Sequence, residues 1–227
     1  MTYLIMRFAT NTPVDKLLDG GLEHGVVTNI YGPAGSGKTN IALAACLACS
    51  KSIYIDTEGS FSPERFVQLG GSEKAMKGIE LIEVHTWAEQ CDAIKGLERL
   101  FEREGIMLVV VDSLVSLYRL EMDESRFHEV NKQLATQYSI LSRIARKHKI
   151  PVLVTNQVYG MRDSSEVEIT SRTIAKYWSK ALVELKRTGD NCRLAILRKH
   201  RSLPEGRKIE FEITKNGLKE MGKFSLF

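Results

Sequence analysis

VVTNIYGPAGSGKTNIALAACLA, Val26 to Ala48, carries three features in a row. Val26–Tyr31 is a short apolar run, expected as a buried strand. Gly32, Pro33, Ala34, Gly35, Ser36, Gly37, Lys38 and Thr39 then fit the pattern G-x-x-x-x-G-K-[ST]. An Ala/Leu-rich helix follows at once, with Asn40 in its first turn. The glycines let the backbone curl so that its N–H groups point inward at phosphate oxygens. The helix start adds the positive end of its dipole at the same place. Lys38 is placed to reach the β- and γ-phosphates of a nucleotide, and the Thr39 hydroxyl to hold Mg²⁺. The full pattern between a strand and a helix predicts a site for a nucleoside triphosphate, with residues 32–40 as its contacts.

Outward from this stretch, strands and helices alternate. Ser52–Asp56 is expected as a second strand, ending in Asp56-Thr57-Glu58-Gly59-Ser60-Phe61. Ser62 then caps a helix that has Pro63 at its first position. Glu80–Val84 reads as a short strand, and Glu89–Glu104 as an amphipathic helix with Ile94, Leu97 and Phe101 on one face. Ile106–Asp112 is continuously apolar, as a strand covered on both faces should be. His128–Lys149 reads as a long helix and Pro151–Gln157 as another buried strand. The alternation predicts an α/β fold: a P-loop NTPase core with a mainly parallel sheet flanked by helices. Tyr159–Ser171 is polar and aperiodic, expected as a mobile loop. Ala181–Arg187, Arg193–Lys199 and Lys208–Thr214 partly alternate between turn signals and are expected as antiparallel strands at the sheet edge. Pro13–Gly21 reads as a helical turn closed by a glycine pair. Residues 1–227 are expected as one domain, with 1–25 a short N-terminal segment too small to be a domain of its own.

The chain has 227 residues, 43% apolar and 26% charged, enough to bury a core. No apolar run approaches the ~18 residues of a membrane span, and the first residues hold no signal-like apolar stretch, so a cytoplasmic protein with no membrane partner is expected. Four cysteines agree with a reducing compartment. Cys46 and Cys49 form a C-x-x-C among alanines, which reads as small buried residues rather than a metal or redox pair. Net charge is only +4, but residues 171–208 hold eleven Lys/Arg against three acids. That excess invites an anionic partner or lines a solvated face.

Phosphoryl chemistry on such a loop needs a carboxylate to fix Mg²⁺, normally at the end of an apolar strand. Asp112 follows Leu108–Val111 and fits. Hydrolysis also needs a group to position or deprotonate water. Ligands of open α/β sheets bind beyond the carboxyl ends of strands, where Glu58, Asp112 and Gln157 all fall.

GPAGSGKT, then YIDTEGSFSPER (Tyr54–Arg65), LVVVDS (Leu108–Ser113) and LVTNQV (Leu153–Val158), resemble the RecA/RadA recombinase superfamily. The resemblance runs from about Thr10 to Gly217, with the four motifs in the family's order. It implies a RecA-like core that binds ATP with Mg²⁺. It implies that Glu58 activates water, that Gln157 senses the γ-phosphate and relays it to a DNA loop, and that Arg65 packs on adenine. Two DNA-binding loops would lie at about Arg119–Glu129 and Tyr159–Ala175, with Arg119, Arg162, Arg172 and Lys176 as candidate contacts to single-stranded DNA. In the family's filaments ATP lies between subunits, and basic residues of a neighbour complete the site. Lys199, His200 and Arg201 would be those residues; the alternative is a solvated hairpin tip.

Two departures set expectations apart from the full-length recombinases. The chain starts about where their linker to an N-terminal domain ends, and the first DNA loop is compact and acidic (Leu120-Glu121-Met122-Asp123-Glu124). Short archaeal paralogues within the superfamily look the same. The expectation is an accessory protein of recombination and repair with weak ATPase activity, working with a full-length RadA-type recombinase, with self-association but no filament of its own. Two other readings stay open: a filament-forming, DNA-dependent ATPase that performs strand exchange, and a RecA-fold signalling ATPase that never meets DNA.

Overall fold

The computed structural model describes residues 6–102, 105–123, 125–160, 167–169 and 172–222; for 159–160, 167–169 and 172 it describes backbone only. A small ribbon comes first. β1 (Arg7–Phe8) and β2 (Leu22–Glu23) pair antiparallel around α1 (Val14–Leu17). The main body then runs β3 (Val27–Gly32), α2 (Lys38–Leu47), β4 (Ser52–Asp56), α3 (Pro63–Gln68), α4 (Glu73–Met76), β5 (Ile79–Glu83), α5 (Trp87–Leu100), β6 (Leu108–Asp112), α6 (Ser116–Leu120) and α7 (Phe127–His148). It closes with β7 (Val152–Gly160), β8 (Val167–Ile169), α8 (Arg172–Trp178), β9 (Ala181–Arg187), β10 (Cys192–His200), β11 (Lys208–Thr214) and β12 (Gly217–Glu220).

One sheet carries ten of these strands in the order β12-β11-β10-β9-β3-β7-β6-β4-β5, with β8 set against β7. β3, β7, β6, β4 and β5 are parallel neighbours. β9 joins β3 in parallel, and β9 to β12 then form an antiparallel meander. The expected α/β architecture with C-terminal antiparallel strands is therefore the observed one.

Pleating explains why the apolar runs are continuous. Ile53, Ile55, Val109 and Val111 point into a core layer with Leu134, Tyr138 and Leu141 of α7. Their neighbours Tyr54, Leu108 and Val110 point to the opposite layer, with Ile41 and Ala42 of α2. Both faces are buried, so no polar alternation survives. Cys46 lies in the second layer, where burial pushes its thiol up to about 12. Among the described residues, no group of three His, Cys, Asp or Glu could hold a metal, which leaves Cys46 and Cys49 as free thiols. No described helix is long and apolar enough to cross a membrane.

Three segments differ from the sequence expectation. The stretch 159–171 is not a loop throughout: β7 continues to Gly160, and Val167-Glu168-Ile169 pairs back on it, Val158 against Ile169. Three alternating residues suffice once an edge is offered by β7, though they are too few to show a period. The second expected DNA loop, to Ala175, overlaps α8, whose Ala175 is fully buried and whose Ile174 and Trp178 pack on the core. The first loop is bounded by helices: Arg119 lies in α6, and Phe127–Glu129 already belong to α7.

Candidate nucleotide site

The ends of β3, β4, β6 and β7 meet at one edge of the sheet. β3 stops at Gly32, where a Cβ would sit 2.4 Å from the Leu185 carbonyl oxygen and 2.9 Å from Ser36 Oγ; only glycine fits. Gly37, at φ 101°, turns the chain into α2. That helix starts without a side-chain cap and has no acid in its first turn. Its first N–H groups are thus left to a ligand, and a negative one is favoured there. Ser36 Oγ is buried without a hydrogen-bond partner among the described residues. An orphaned hydroxyl beside an uncapped helix start is a donor set that suits phosphate.

Lys38 is buried, and its Nζ donates to the Gly32 and Pro33 carbonyls at 2.9 and 3.0 Å. Burial pulls its ammonium below the usual lysine range, while Asp112 and then Glu58 push back. Asp112 is buried at the end of β6. Its Oδ2 accepts from Tyr54 Oη at 2.7 Å and Ser60 Oγ at 3.1 Å, and its Oδ1 from Thr155 Oγ1. Burial first, and Asp112 second, hold the Tyr54 phenol well above its ordinary value, so it donates to the carboxylate at neutral pH.

Glu58 projects from the turn after β4. Its Oε1 accepts from Ser113 Oγ at 2.6 Å, and its Oε2 from Gln157 Nε2 at 2.8 Å. Asp56 shapes that turn: Oδ1 accepts from the Glu58 and Ser60 N–H groups and Oδ2 from that of Phe61. Thr57 locks the adjacent strand ends, donating to the Ser113 carbonyl at 2.7 Å and accepting from the Ser113 N–H at 2.9 Å. Glu58, Gln157, Asp112 and Lys38 are thus brought together. The donor set of Thr39 and Asp112, one hydroxyl and one carboxylate, suits a hard divalent cation.

The other predicted residues lie as follows. Arg65 Nε donates to Asn40 Oδ1 at 2.6 Å, and its other nitrogens to Gln68 and to the Thr214 and Lys215 carbonyls. Its guanidinium therefore bridges α3, α2 and the β11–β12 turn. Lys199 Nζ donates to the Lys176 and Ser179 carbonyls and so caps the end of α8. Arg201 pairs with the buried Glu23, and the His200 ring, with 1% of its side chain exposed, lies 3.8 Å from the same carboxylate. All three residues have partners within their own chain. Lys176 and Tyr177 are exposed on α8, whose first residue is Arg172. Arg162 lies outside the described residues.

Three contributors were not singled out from sequence. Ser113 directly follows Asp112, so its place was legible. Asp56 carries the strand-end signal of a turn. Arg193 buries its guanidinium against the Gly35 carbonyl, 158 positions away in sequence, and nothing local announces it.

The sequence profile of the Rad51 family matches residues 3–221. The chain belongs to the Rad51 family. Within it, the chain is 37% identical over 224 residues to "DNA repair and recombination protein RadB" of Methanobrevibacter smithii, covering 93% of this chain and 95% of that one. It is 40% identical over 214 residues to the protein of the same name from Methanococcoides burtonii, covering 91% and 94%. A solved structure described as "Crystal structure of the RadB recombinase" superposes with a TM-score of 0.82 at 36% identity, over 95% of this chain and all of that one. The Rad51 family assignment agrees with the superfamily resemblance carried by the four motifs.

Proposed function

We propose that this Rad51-family chain is an accessory protein of DNA recombination and repair that binds ATP with Mg²⁺, hydrolyses it weakly and contacts single-stranded DNA. The observation that carries this reading is the bond from Gln157 to Glu58. It joins the Glu58 carboxylate, whose charge reaches Lys38, to the strand that runs on into the second DNA-loop region. The names of the relatives point to the same process.

Residues 32–40 would bind the triphosphate, with Arg65 on the base side through Asn40. Mg²⁺, when bound, would neutralise phosphate charge as the terminal bond breaks. Thr39 and Asp112 would hold it, the Asp112 carboxylate being fixed in place by the Tyr54, Ser60 and Thr155 hydroxyls. Glu58 would take the proton of the attacking water. Ser113 and Gln157 hold that carboxylate from both sides. Exposed Lys176, with Arg119, Arg162 and Arg172, would meet DNA phosphates, and exposed Tyr177 offers a ring to a base. A full-length recombinase is the expected protein partner.

Binding of a fluorescent ATP analogue to wild type and Lys38→Ala tests the site. Wild type should bind in a Mg²⁺-dependent way, and the variant should keep its fold and lose the affinity. Equal affinity in the two proteins would remove the nucleotide assignment.

A further inference from the structure

Strand β10 meets the phosphate loop from outside through its second residue, Arg193. Arg193, only 6% exposed, sends Nε and Nη2 to the Gly35 carbonyl at 3.0 and 2.7 Å. Its Nη1 donates to the carbonyls of Gly189, Asp190 and Cys192. All five contacts are to backbone carbonyls. A buried charge is costly to leave without strong partners, and here the whole fork is devoted to the Gly35 carbonyl and the β9–β10 turn.

The chemistry of that grip is specific. Gly35 sits at φ +70° and has no side chain to resist rotation of its peptide. The peptide is planar, so its carbonyl and the following N–H point opposite ways. With the Gly35 carbonyl drawn to Arg193, the Ser36 N–H turns into the loop, where it donates to the Pro33 carbonyl at 3.2 Å. Lys38 Nζ donates to that same oxygen. Arg187 supplies an internal contrast. It stands opposite Arg193 in the β9–β10 ladder, is exposed, and its Nη1 lies 3.9 Å from where a Gly35 Cβ would be. It brings the same charge to the same apex without the grip.

We propose that Arg193 is a positioning residue of the nucleotide site, holding the Gly35 carbonyl outside the loop so that the Ser36 N–H faces inward, where a phosphate oxygen would replace the Pro33 carbonyl as its acceptor. This rests on the triphosphate reading of the site. The test compares Arg193→Gln, Arg193→Lys and Arg187→Gln in two measurements: affinity for a fluorescent ATP analogue, and amide hydrogen exchange without nucleotide. Arg193→Gln should weaken binding at least about tenfold, the loss of one charge-assisted hydrogen bond. Arg193→Lys should recover only part of it, since a lysine cannot grip at two points. Arg187→Gln should stay within about twofold of wild type, as an exposed charge. Exchange in Arg193→Gln should quicken at residues 34–37 and not in β3 or β6. Equal weakening by Arg187→Gln would make the effect one of charge alone and overturn the proposal. Faster exchange throughout the sheet would do the same, by making Arg193 a general support of the fold. A wild type that binds no triphosphate would remove the reading beneath the proposal, and the exchange measurement would still decide whether Arg193 sets the loop.

Discussion

Glu58 is held by two hydrogen bonds, and each does something different. Ser113 Oγ anchors it to the end of β6 beside Asp112, while Gln157 Nε2 links it to β7. Glu58→Gln keeps the size of the side chain and removes the proposed base. ATP affinity should stay near wild type while turnover falls by about 10²-fold or more, read as phosphate release at saturating ATP. Unchanged turnover would show that Glu58 is not the base. His200 makes a different residue-scale prediction. Its Nδ1 accepts from the Ser202 and Leu203 N–H groups, which demands the neutral ring protonated on Nε2, toward Glu23. Burial, then Arg7 and Arg207, hold its pKa below 6.5, with Asp19 opposing. The folded state therefore binds the proton less readily than the unfolded chain. The stability from the neutral ring is complete above pH 6.5 and is lost as pH falls below it toward the folded pKa. Urea unfolding at pH 7.5 and 5.5 should show a larger acid loss for wild type than for His200→Asn; equal losses would contradict this.

At the scale of elements, α5 shows how local chemistry sets a boundary. Thr86 Oγ1 accepts from the Glu89 N–H, and the Glu89 carboxylate accepts from the Thr86 N–H, a complete capping box. Thr86→Ala should cost about 1 kcal/mol in urea unfolding without altering nucleotide affinity. The sequence places this helix at Glu89–Glu104, whereas the cap starts it at Trp87. β4 occupies the very residues expected of it, Ser52–Asp56, and Ser62 caps α3 by accepting from the Arg65 N–H. These elements were legible because their signals are local: an apolar run, a cap, a proline. β1, β2 and β8 were not, since two or three residues cannot display a period and each is a strand only by virtue of its partner. The same contrast holds in the site. The motif at 32–39 and the strand-end residues Glu58, Asp112 and Gln157 could be placed from order alone. The hold of Arg193 on Gly35 exists only after β9 has paired with β3 and β10 with β9.

At the scale of the molecule, the strand order explains why one ligand should influence another. β3 delivers the phosphate loop and lies between β9 and β7, and β7 passes Gln157 before entering the second DNA-loop region. The proposed nucleotide site and the region proposed to meet DNA would therefore lie at the ends of neighbouring strands, with Gln157 of β7 bonded to Glu58 in the turn after β4. DNA binding should be chiefly electrostatic. Each phosphate neutralised adds about −0.7 to the slope of log K against log salt, so the four candidate cations together predict about −2.8. Affinities for ATP and DNA should be coupled reciprocally by one factor. The most direct test is single-strand affinity with and without ATP and Mg²⁺, for wild type and Gln157→Ala. Wild type should change its DNA affinity when ATP is added, and Gln157→Ala should bind DNA with little or no such change. A wild-type DNA affinity indifferent to ATP, or a response that survives intact in Gln157→Ala, would contradict the link between the two sites.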